Sequence, residues 1–162
     1  MAWGDISIIV EDSGISTTIQ KKLSYLLDDW EVQEGVTKIV RDEMNKFVPR
    51  KTGNLAHNTE IYNDEIIWLS PYAHYQYTGF VYGPNFLVTD ENGNPKLDEN
   101  GESMWRTPKG TEKYNTGRFL NYHTPGTGSR WDEALMDDSN ARRIMNIRIT
   151  NYLKRMAKEK DL

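Results

Sequence analysis

Three histidines are the side chains best suited to hold a catalytic metal ion, because a catalytic zinc site often takes two or three imidazoles. They are His57, His74 and His123, and they form no His-x-His or His-Glu-x-x-His spacing. We therefore interpret them as turn or surface residues. The sequence contains no cysteine, which excludes a thiolate nucleophile, a disulfide framework and Cys-based zinc or iron–sulfur sites. No metal site is predicted.

Two copies of Asp-Glu-Asn-Gly, at residues 90–93 and 98–101, bring acids and amides together as a calcium loop would. An EF-hand loop needs glycine at its sixth position. Counting from the first residue of each copy puts Pro95 and Ser103 there instead. Because Asn-Gly is a strong signal for a tight hairpin, both copies predict turns rather than calcium ligands.

Covalent catalysis and phosphate binding also lack their motifs. Residues 126–130 read Gly-Thr-Gly-Ser-Arg, with no glycine after the serine, so they do not form a nucleophile elbow. Residues 107–111, Thr-Pro-Lys-Gly-Thr, lack the preceding glycine of a phosphate-binding loop. Carboxylates are plentiful, but the sequence predicts no converging pair of the kind that glycosidases use. We predict no catalytic residue and no cofactor.

Charge is distributed unevenly along the chain. The net charge of −4 argues against a general nucleic-acid coat, since such a protein needs a surplus of Lys and Arg. Residues 139–160 nevertheless hold seven Lys or Arg against one acid, a local charge of +6. Residues 1–48 hold nine acids and five bases, a local charge of −4. The basic segment, including Arg142 and Arg143, is either a solvated helix face or a contact for DNA or an acidic protein.

The 162 residues fit one domain, 1–162, whose core is large enough without disulfides or metal. The longest apolar runs fall far below the roughly 20 residues that a membrane helix needs. The amino terminus shows neither the basic nor the apolar region of a signal peptide. We therefore expect no membrane segment and a protein that stays in the cell that made it.

Hydrophobic spacing in the first half predicts one strand followed by helix. The β-branched segment 5–10 is typical of a strand, and apolar residues recur at helical spacing from about residue 16 to Phe47. The apolar face shifts after Trp30, so we expect a kink or a junction of two helices within residues 31–35, with Gly35 as the weak point. Pro49 is expected to end the helical segment.

The next elements are short. Residues 57–62 and 65–69 are predicted strands, and Asn63-Asp64 between them favours an antiparallel hairpin. Residues 72–77 are expected to form a short helix that Gly79 closes.

The segment 81–130 is predicted to be a long insert. It contains seven glycines and four prolines, too many for a continuous helix, and we expect at least one protruding hairpin within it. Its aromatic residues argue against full disorder. Residues 139–160 then predict a basic, amphipathic closing helix. Its apolar face comprises Ala141, Ile144, Met145, Ile149, Tyr152, Leu153 and Met156.

Two groups of motifs go beyond composition. The first is Val48-Pro49-Arg50-Lys51-Thr52-Gly53-Asn54-Leu55, followed later by Ser70-Pro71-Tyr72-Ala73-His74-Tyr75-Gln76-Tyr77-Thr78-Gly79. It resembles the minor capsid and tail-completion family of tailed bacteriophages, in which a Val-Pro-x-x-Thr-Gly-x-Leu turn ends a helix, a hairpin follows, and Tyr-Ala-x-Tyr precedes a glycine. The second comprises Trp105-Arg106-Thr107-Pro108-Lys109-Gly110, Tyr114-Asn115-Thr116-Gly117-Arg118, Leu120-Asn121-Tyr122-His123 and Trp131. It resembles the insert of the branch found in phages of Gram-positive hosts.

This resemblance implies an α+β fold, with a small antiparallel sheet packed against a long N-terminal helix, the hairpin-containing insert and the C-terminal amphipathic helix. It implies a non-enzymatic virion protein of the head–tail junction, made in the host cytoplasm. Its partners would be other copies in a six-fold or twelve-fold ring, neighbouring connector, tail-terminator or tail-tube proteins, and the DNA passing through the neck. A tail assembly factor absent from the mature virion is the alternative. A hydrolase with the insert as a lid and a free DNA-binding module are less favoured.

The residues of these motifs have roles that need no catalysis. Pro49 stops the helix, Thr52 belongs to the same turn, Gly53 can take a positive φ, and Leu55 can anchor the turn in the core. The tyrosines of the second segment are either core residues or stiff contact surface. The candidate interface residues are Tyr72, Tyr75, Tyr77, Trp105, Tyr114, Phe119, Tyr122, Trp131, Arg142 and Arg143.

Ring closure needs a heterologous interface, in which one surface patch meets a different one on the next copy. The acidic first half and the basic last helix would suit such a pairing. We therefore predict charge pairing between neighbouring copies.

Overall fold

The computed structural model describes residues 24–99 and 101–161. The strand predicted at residues 5–10 and the first part of the helix predicted from residue 16 lie outside this range. The helices are α1 (Trp30–Met44), α2 (Asn54–His57), α3 (Ala73–Thr78), α4 (Trp131–Asp137) and α5 (Ser139–Glu159). The strands are β1 (Thr59–Tyr62), β2 (Glu65–Trp68), β3 (Phe80–Gly83), β4 (Phe86–Leu87), β5 (Trp105–Arg106) and β6 (Tyr114–Phe119). This mixture of helices and short antiparallel strands confirms the predicted α+β class.

Helices α1 and α5 lie against each other through the apolar faces that their spacing predicts. Val32 and Met44 of α1 are buried, as is Met145 of α5. The helices run antiparallel, because Lys160 near the end of α5 meets Asp29 at the start of α1, while Arg148 reaches Asp42. A cluster of buried apolar side chains continues from these helices into α2, β2, α3 and α4.

The junction of two helices predicted within residues 31–35 is wrong in position, since α1 passes through Gly35 without interruption and the helical stretches meet at Asp28 and Asp29. A helical stretch at residues 24–27 ends before Asp29, and Asp29 is the N-cap of α1. Its carboxylate accepts a hydrogen bond from the backbone N–H of Glu31 at 2.9 Å. Trp30, placed on the apolar face by spacing, is 62% exposed.

Gly35 has a packing role instead of a hinge role. A Cβ built on Gly35 would lie 2.0 Å from the hydroxyl oxygen of Tyr152 in α5. That hydroxyl donates a hydrogen bond to the carbonyl oxygen of Glu31 at 3.1 Å. The missing side chain therefore lets a tyrosine of α5 approach the backbone of α1.

Strands β1 and β2 form the predicted hairpin. Thr59 pairs with Trp68 and Tyr62 with Glu65, and Asn63 in the turn has a φ of 53°. Both strands contact α1, so this pair is the small antiparallel sheet expected against the long helix. The predicted short helix is α3, which Gly79 ends at a φ of 77°.

The chain leaves the core along β3 and returns along β6. These two strands pair antiparallel, with Gly83 opposite Tyr114. Strands β4 and β5 pair antiparallel within the insert, and the bridges Thr89–Pro95 and Leu97–Ser103 lie at the two predicted Asn-Gly turns. The chain then crosses α3 and enters α4, a helix that the sequence did not predict. The backbone N–H of Leu120 donates to the carbonyl of Gly79 at 2.8 Å, and that of Arg130 donates to Tyr77 at 3.0 Å.

Candidate assembly interface

The turn at residues 49–55 leads from α1 to α2. Gly53, at a φ of 84°, is the N-cap residue of α2, and Leu55 is buried, so both expectations for this turn are confirmed. The side-chain amide of Asn45 donates to the carbonyl of Ala56 at 3.0 Å. The backbone N–H of Asn54 lies 3.5 Å from the hydroxyl of Thr52, which accepts from it. The turn is thus fixed by its own polar groups and by one apolar anchor.

A cleft of about 710 Å³ opens beside this turn. Tyr72 and Tyr122 line it, together with residues of the turn itself. The hydroxyl of Tyr122 donates to the carbonyl of Gln76 at 2.6 Å, and burial raises the pKa of Tyr122. The cleft therefore brings the two groups of sequence motifs together at one place on the surface.

One predicted interface aromatic, Trp131, belongs to the core, and Tyr77 packs against it. Trp131 is 2% exposed, and its ring lies 5.4 Å from that of Trp68 and 5.0 Å from that of Tyr77. The Tyr77 hydroxyl donates to Asp132 at 3.0 Å, and burial together with this hydrogen bond raises the pKa of Tyr77 to about 12. Burial leaves Trp131 almost no surface for a partner, whereas Tyr77 is only partly buried.

Tyr75 is half-buried and belongs to a small group of aromatic side chains. Its ring centroid is 4.8 Å from that of Tyr82 and 5.7 Å from that of His74. The ammonium of Lys113 lies 5.0 Å from the Tyr75 centroid, within the range of a cation–π interaction. The group ties α3 to the insert.

The insert exposes most of its large apolar side chains. Trp105 is 64% exposed and Phe119 is 76% exposed, although Phe119 stacks on Phe80 with ring centroids 5.0 Å apart. Phe86 and Tyr114 are also more than half exposed. Exposed large apolar side chains of this kind are typical of surfaces that contact another molecule.

Residues 88–104, which we call the tip, repeat one turn twice. Gly93 and Gly101 both have positive φ, and the Asp that begins each turn accepts hydrogen bonds from the turn's backbone. Three backbone hydrogen bonds close a ring between the repeats. The backbone N–H of Val88 donates to the carbonyl of Met104 at 2.9 Å. The N–H of Met104 donates to the carbonyl of Lys96 at 2.8 Å, and the N–H of Lys96 donates to the carbonyl of Val88 at 2.8 Å.

One lysine joins the tip to the turn at residues 49–55. The ammonium of Lys51 lies 2.9 Å from Glu102 and 3.5 Å from Asp98. The hydrogen bond to Glu102, and then the charge of Glu102, raise the pKa of Lys51. This exposed ion pair lies beside the cleft, which Lys51 and Glu102 both line.

Arg142 and Arg143 lie on the exposed side of α5. Arg142 donates to the carbonyl of Met136 at 2.7 Å, and Arg143 donates to the side-chain oxygen of Asn140 at 3.1 Å. Within residues 24–99 and 101–161, neither guanidinium forms an ion pair with an acid. They lie with Ile147 and Asn151 on an open, shallow face made of α5 residues alone, which we call the α5 groove.

Sequence reasoning missed the ion pairs between α1 and α5. Glu43 is 1% exposed, receives a hydrogen bond from Arg148 at 2.5 Å and forms an ion pair with Lys46. Desolvation raises the pKa of Glu43, but the hydrogen bonds from Lys46 and Arg148 outweigh it and bring the pKa below its usual value. Lys160 lies 2.5 Å from Asp29. Some of the acidic and basic residues that we expected to pair between neighbouring copies therefore pair within one chain.

The three histidines are all exposed. In the part of the chain that the structure describes, no three His, Asp or Glu residues are grouped as metal ligands. No helix within those residues combines the length and the apolar character of a membrane span.

The structure thus combines a folded core with an insert that exposes several aromatic side chains. A family model described as "Minor capsid protein" matches residues 6–96, more than half of the 162-residue chain. The chain therefore belongs to this minor capsid protein family of phages. It is a phage structural protein of the virion, and it interacts with other virion proteins.

Neither the curated proteins nor the solved structures include a significant match to the chain. The family match ends at residue 96, so it covers the turn at residues 49–55 and α3 but not the motifs from Trp105 to Trp131. The assignment to the branch from phages of Gram-positive hosts stays a prediction.

Proposed function

We propose that this minor capsid protein is a component of the phage neck, where copies of it form a ring that joins the head to the tail. Membership of the minor capsid family carries the proposal, because it makes the chain a virion structural protein. The exposed apolar residues of the insert support it, since such a surface is costly in water unless a partner covers it.

In this role the protein performs no reaction and supplies contact surface. The core formed by α1, α5 and the β1–β2 hairpin holds the cleft beside residues 49–55 and the insert in fixed positions. Tyr72 and Tyr122 in the cleft, and Trp105, Tyr114 and Phe119 on the insert, are the contact residues we propose for neighbouring copies or for connector, tail-terminator and tail-tube proteins. Aromatic side chains suit this task because they bury a large area at small entropic cost.

A nonsense mutation in the gene tests the role directly. We expect filled heads and complete tails to accumulate without joining, and electron microscopy of the lysate measures this. Normal particles in the mutant lysate would contradict the proposal.

Mass spectrometry and cryo-electron microscopy of wild-type virions test the location. The polypeptide is expected in purified virions, as a ring at the head–tail junction. Its absence from virions would favour the tail assembly factor, and a position in the head shell away from the junction would refute the neck role.

A further inference from the structure

The tip and the outer face of α5 have complementary surfaces, and the structure does not pair them within the chain. The tip carries five acids and one lysine. Lys51 of the same chain pairs with Glu102 and Asp98, while Glu91 and Glu99 are exposed and form no ion pair within residues 24–99 and 101–161. The tip therefore presents uncompensated negative charge.

The α5 groove has the opposite charge. Arg142 and Arg143 line it and form no ion pair in the part of the chain that is described, and Ile147, which also lines it, is 47% exposed. A surface that binds only the DNA backbone needs cations and no apolar side chain. A groove with both cations and an exposed isoleucine fits an acidic and partly apolar protein surface better.

The tip has that mixed character. Leu97 is 58% exposed and Met104 is 43% exposed, so apolar side chains stand beside Glu91 and Glu99 on the same small unit. We propose, on the basis of the proposed ring, that the tip of one copy docks into the α5 groove of the next copy. Apolar contacts between Leu97 and Ile147 and charge pairing of Glu91 and Glu99 with Arg142 and Arg143 hold the two together.

This contact joins two different patches, so each copy offers one tip and one groove. A contact of this kind closes into a ring when the rotation between copies divides a full turn, and otherwise gives a filament. The hydrogen-bonded ring of Val88, Lys96 and Met104 makes the tip stiff, which lowers the entropy lost on docking.

Disulfide trapping tests the contact, because the natural chain has no cysteine to interfere. Leu97→Cys and Ile147→Cys, the two residues proposed to touch, are introduced together, and the protein is oxidised both as purified and within assembled particles. We expect a ladder of dimer, trimer and larger species that ends at the ring size. Each single-cysteine variant is the control and gives no ladder. A double variant that cross-links no further than the controls in either setting would overturn the proposal.

Charge reversal provides a second, independent test. Glu91→Lys with Glu99→Lys, or Arg142→Glu with Arg143→Glu, is expected to weaken assembly on the order of tenfold or more, because like charges then face each other. A chain carrying all four changes restores the pairing and assembles again. Light scattering after size-exclusion chromatography measures the assembly.

Glu60→Lys with Glu65→Lys is the matched control, since both residues are exposed on the β1–β2 hairpin. Equal losses in the control, or no rescue by the fourfold variant, would refute the specific pairing. If the Arg142 and Arg143 changes leave assembly intact but impair DNA retention in particles, the groove binds DNA and the proposal is wrong.

Virions that contain the protein in the neck but yield no ladder would refute this contact alone. A ladder from a protein absent from virions would refute the neck role alone.

Discussion

The layer formed by α1 and α5 and the insert at residues 81–130 use similar residue types in opposite ways. In the helical layer, charged and aromatic side chains meet partners within the chain, as Glu43 meets Arg148 and Tyr152 meets the backbone beside Gly35. In the insert, large apolar and acidic side chains face solvent. Within the described residues, the insert holds seven of the fifteen exposed large hydrophobic side chains, and we propose that it supplies contact surface while the helical layer stabilises the fold. Four substitutions test this division, in order of their expected effect on stability.

The largest effect is expected from Trp131→Ala. The side chain is buried and contacts the rings of Trp68 and Tyr77, so its removal leaves a cavity and should lower the free energy of unfolding by about 3–5 kcal/mol. Urea unfolding followed by circular dichroism measures the change. A loss under 1 kcal/mol would mean that α4 does not belong to the core.

Glu43→Gln should cost about 1.5–3 kcal/mol at neutral pH, because it removes charged hydrogen bonds from a buried site. The folded pKa of Glu43 lies below its usual value of 4.5. The stability that its charge contributes is therefore present above pH 4.5 and lost as the pH falls through the folded pKa. Unfolding measured from pH 7 to pH 3 should show a smaller decline in the variant. Parallel curves for variant and wild type would refute the role of Glu43.

Gly35→Ala should destabilise the chain by about 1–2 kcal/mol, since the crowding against Tyr152 outweighs the better helix propensity of alanine. The same substitution combined with Tyr152→Leu should cost less than the sum of the two single changes. Thermal unfolding of the three variants gives the coupling. Strict additivity would show that the two helices do not meet at this residue.

Trp105→Ala should have the smallest effect on stability, within about 0.5 kcal/mol, because the side chain is mostly exposed. Particle assembly should nevertheless fall, as the plating efficiency of phage complemented with the variant would reveal. Trp131→Ala is the matched comparison, with the same substitution in the core. If Trp105→Ala unfolds the protein, or leaves assembly unchanged, the division between the two regions does not hold.

The spacing of apolar residues and the residue types typical of turns predicted most of the helices and strands. The spacing from Val32 to Met44 gives the buried face of α1, and Asn63-Asp64 gives the β1–β2 turn. The boundary at Asp29 was missed because the apolar Trp30 after it continues the helical pattern, although Trp30 is exposed. Helix α4 was missed because seven residues carry too little periodicity beside a glycine-rich segment.

The candidate interface was predictable only in part, for a physical reason. The positive φ of Gly53 follows from the turn, whereas the burial of Trp131 and the exposure of Phe119 depend on which elements pack nearby. From residue type alone, Trp131 and Phe119 would be expected to be buried to the same degree. The pair formed by Glu43 and Arg148 joins residues 105 positions apart, so no local pattern could reveal it.

The pairing of Gly83 with Tyr114 also bears on how this chain can evolve. Antiparallel partners lie about 5 Å apart between Cα atoms, so residues 84–113 begin and end at neighbouring points. Insertions or deletions inside this excursion leave the spacing of the flanking strands unchanged. A lineage can therefore lengthen, shorten or exchange the excursion by recombination while inheriting the rest of the molecule intact.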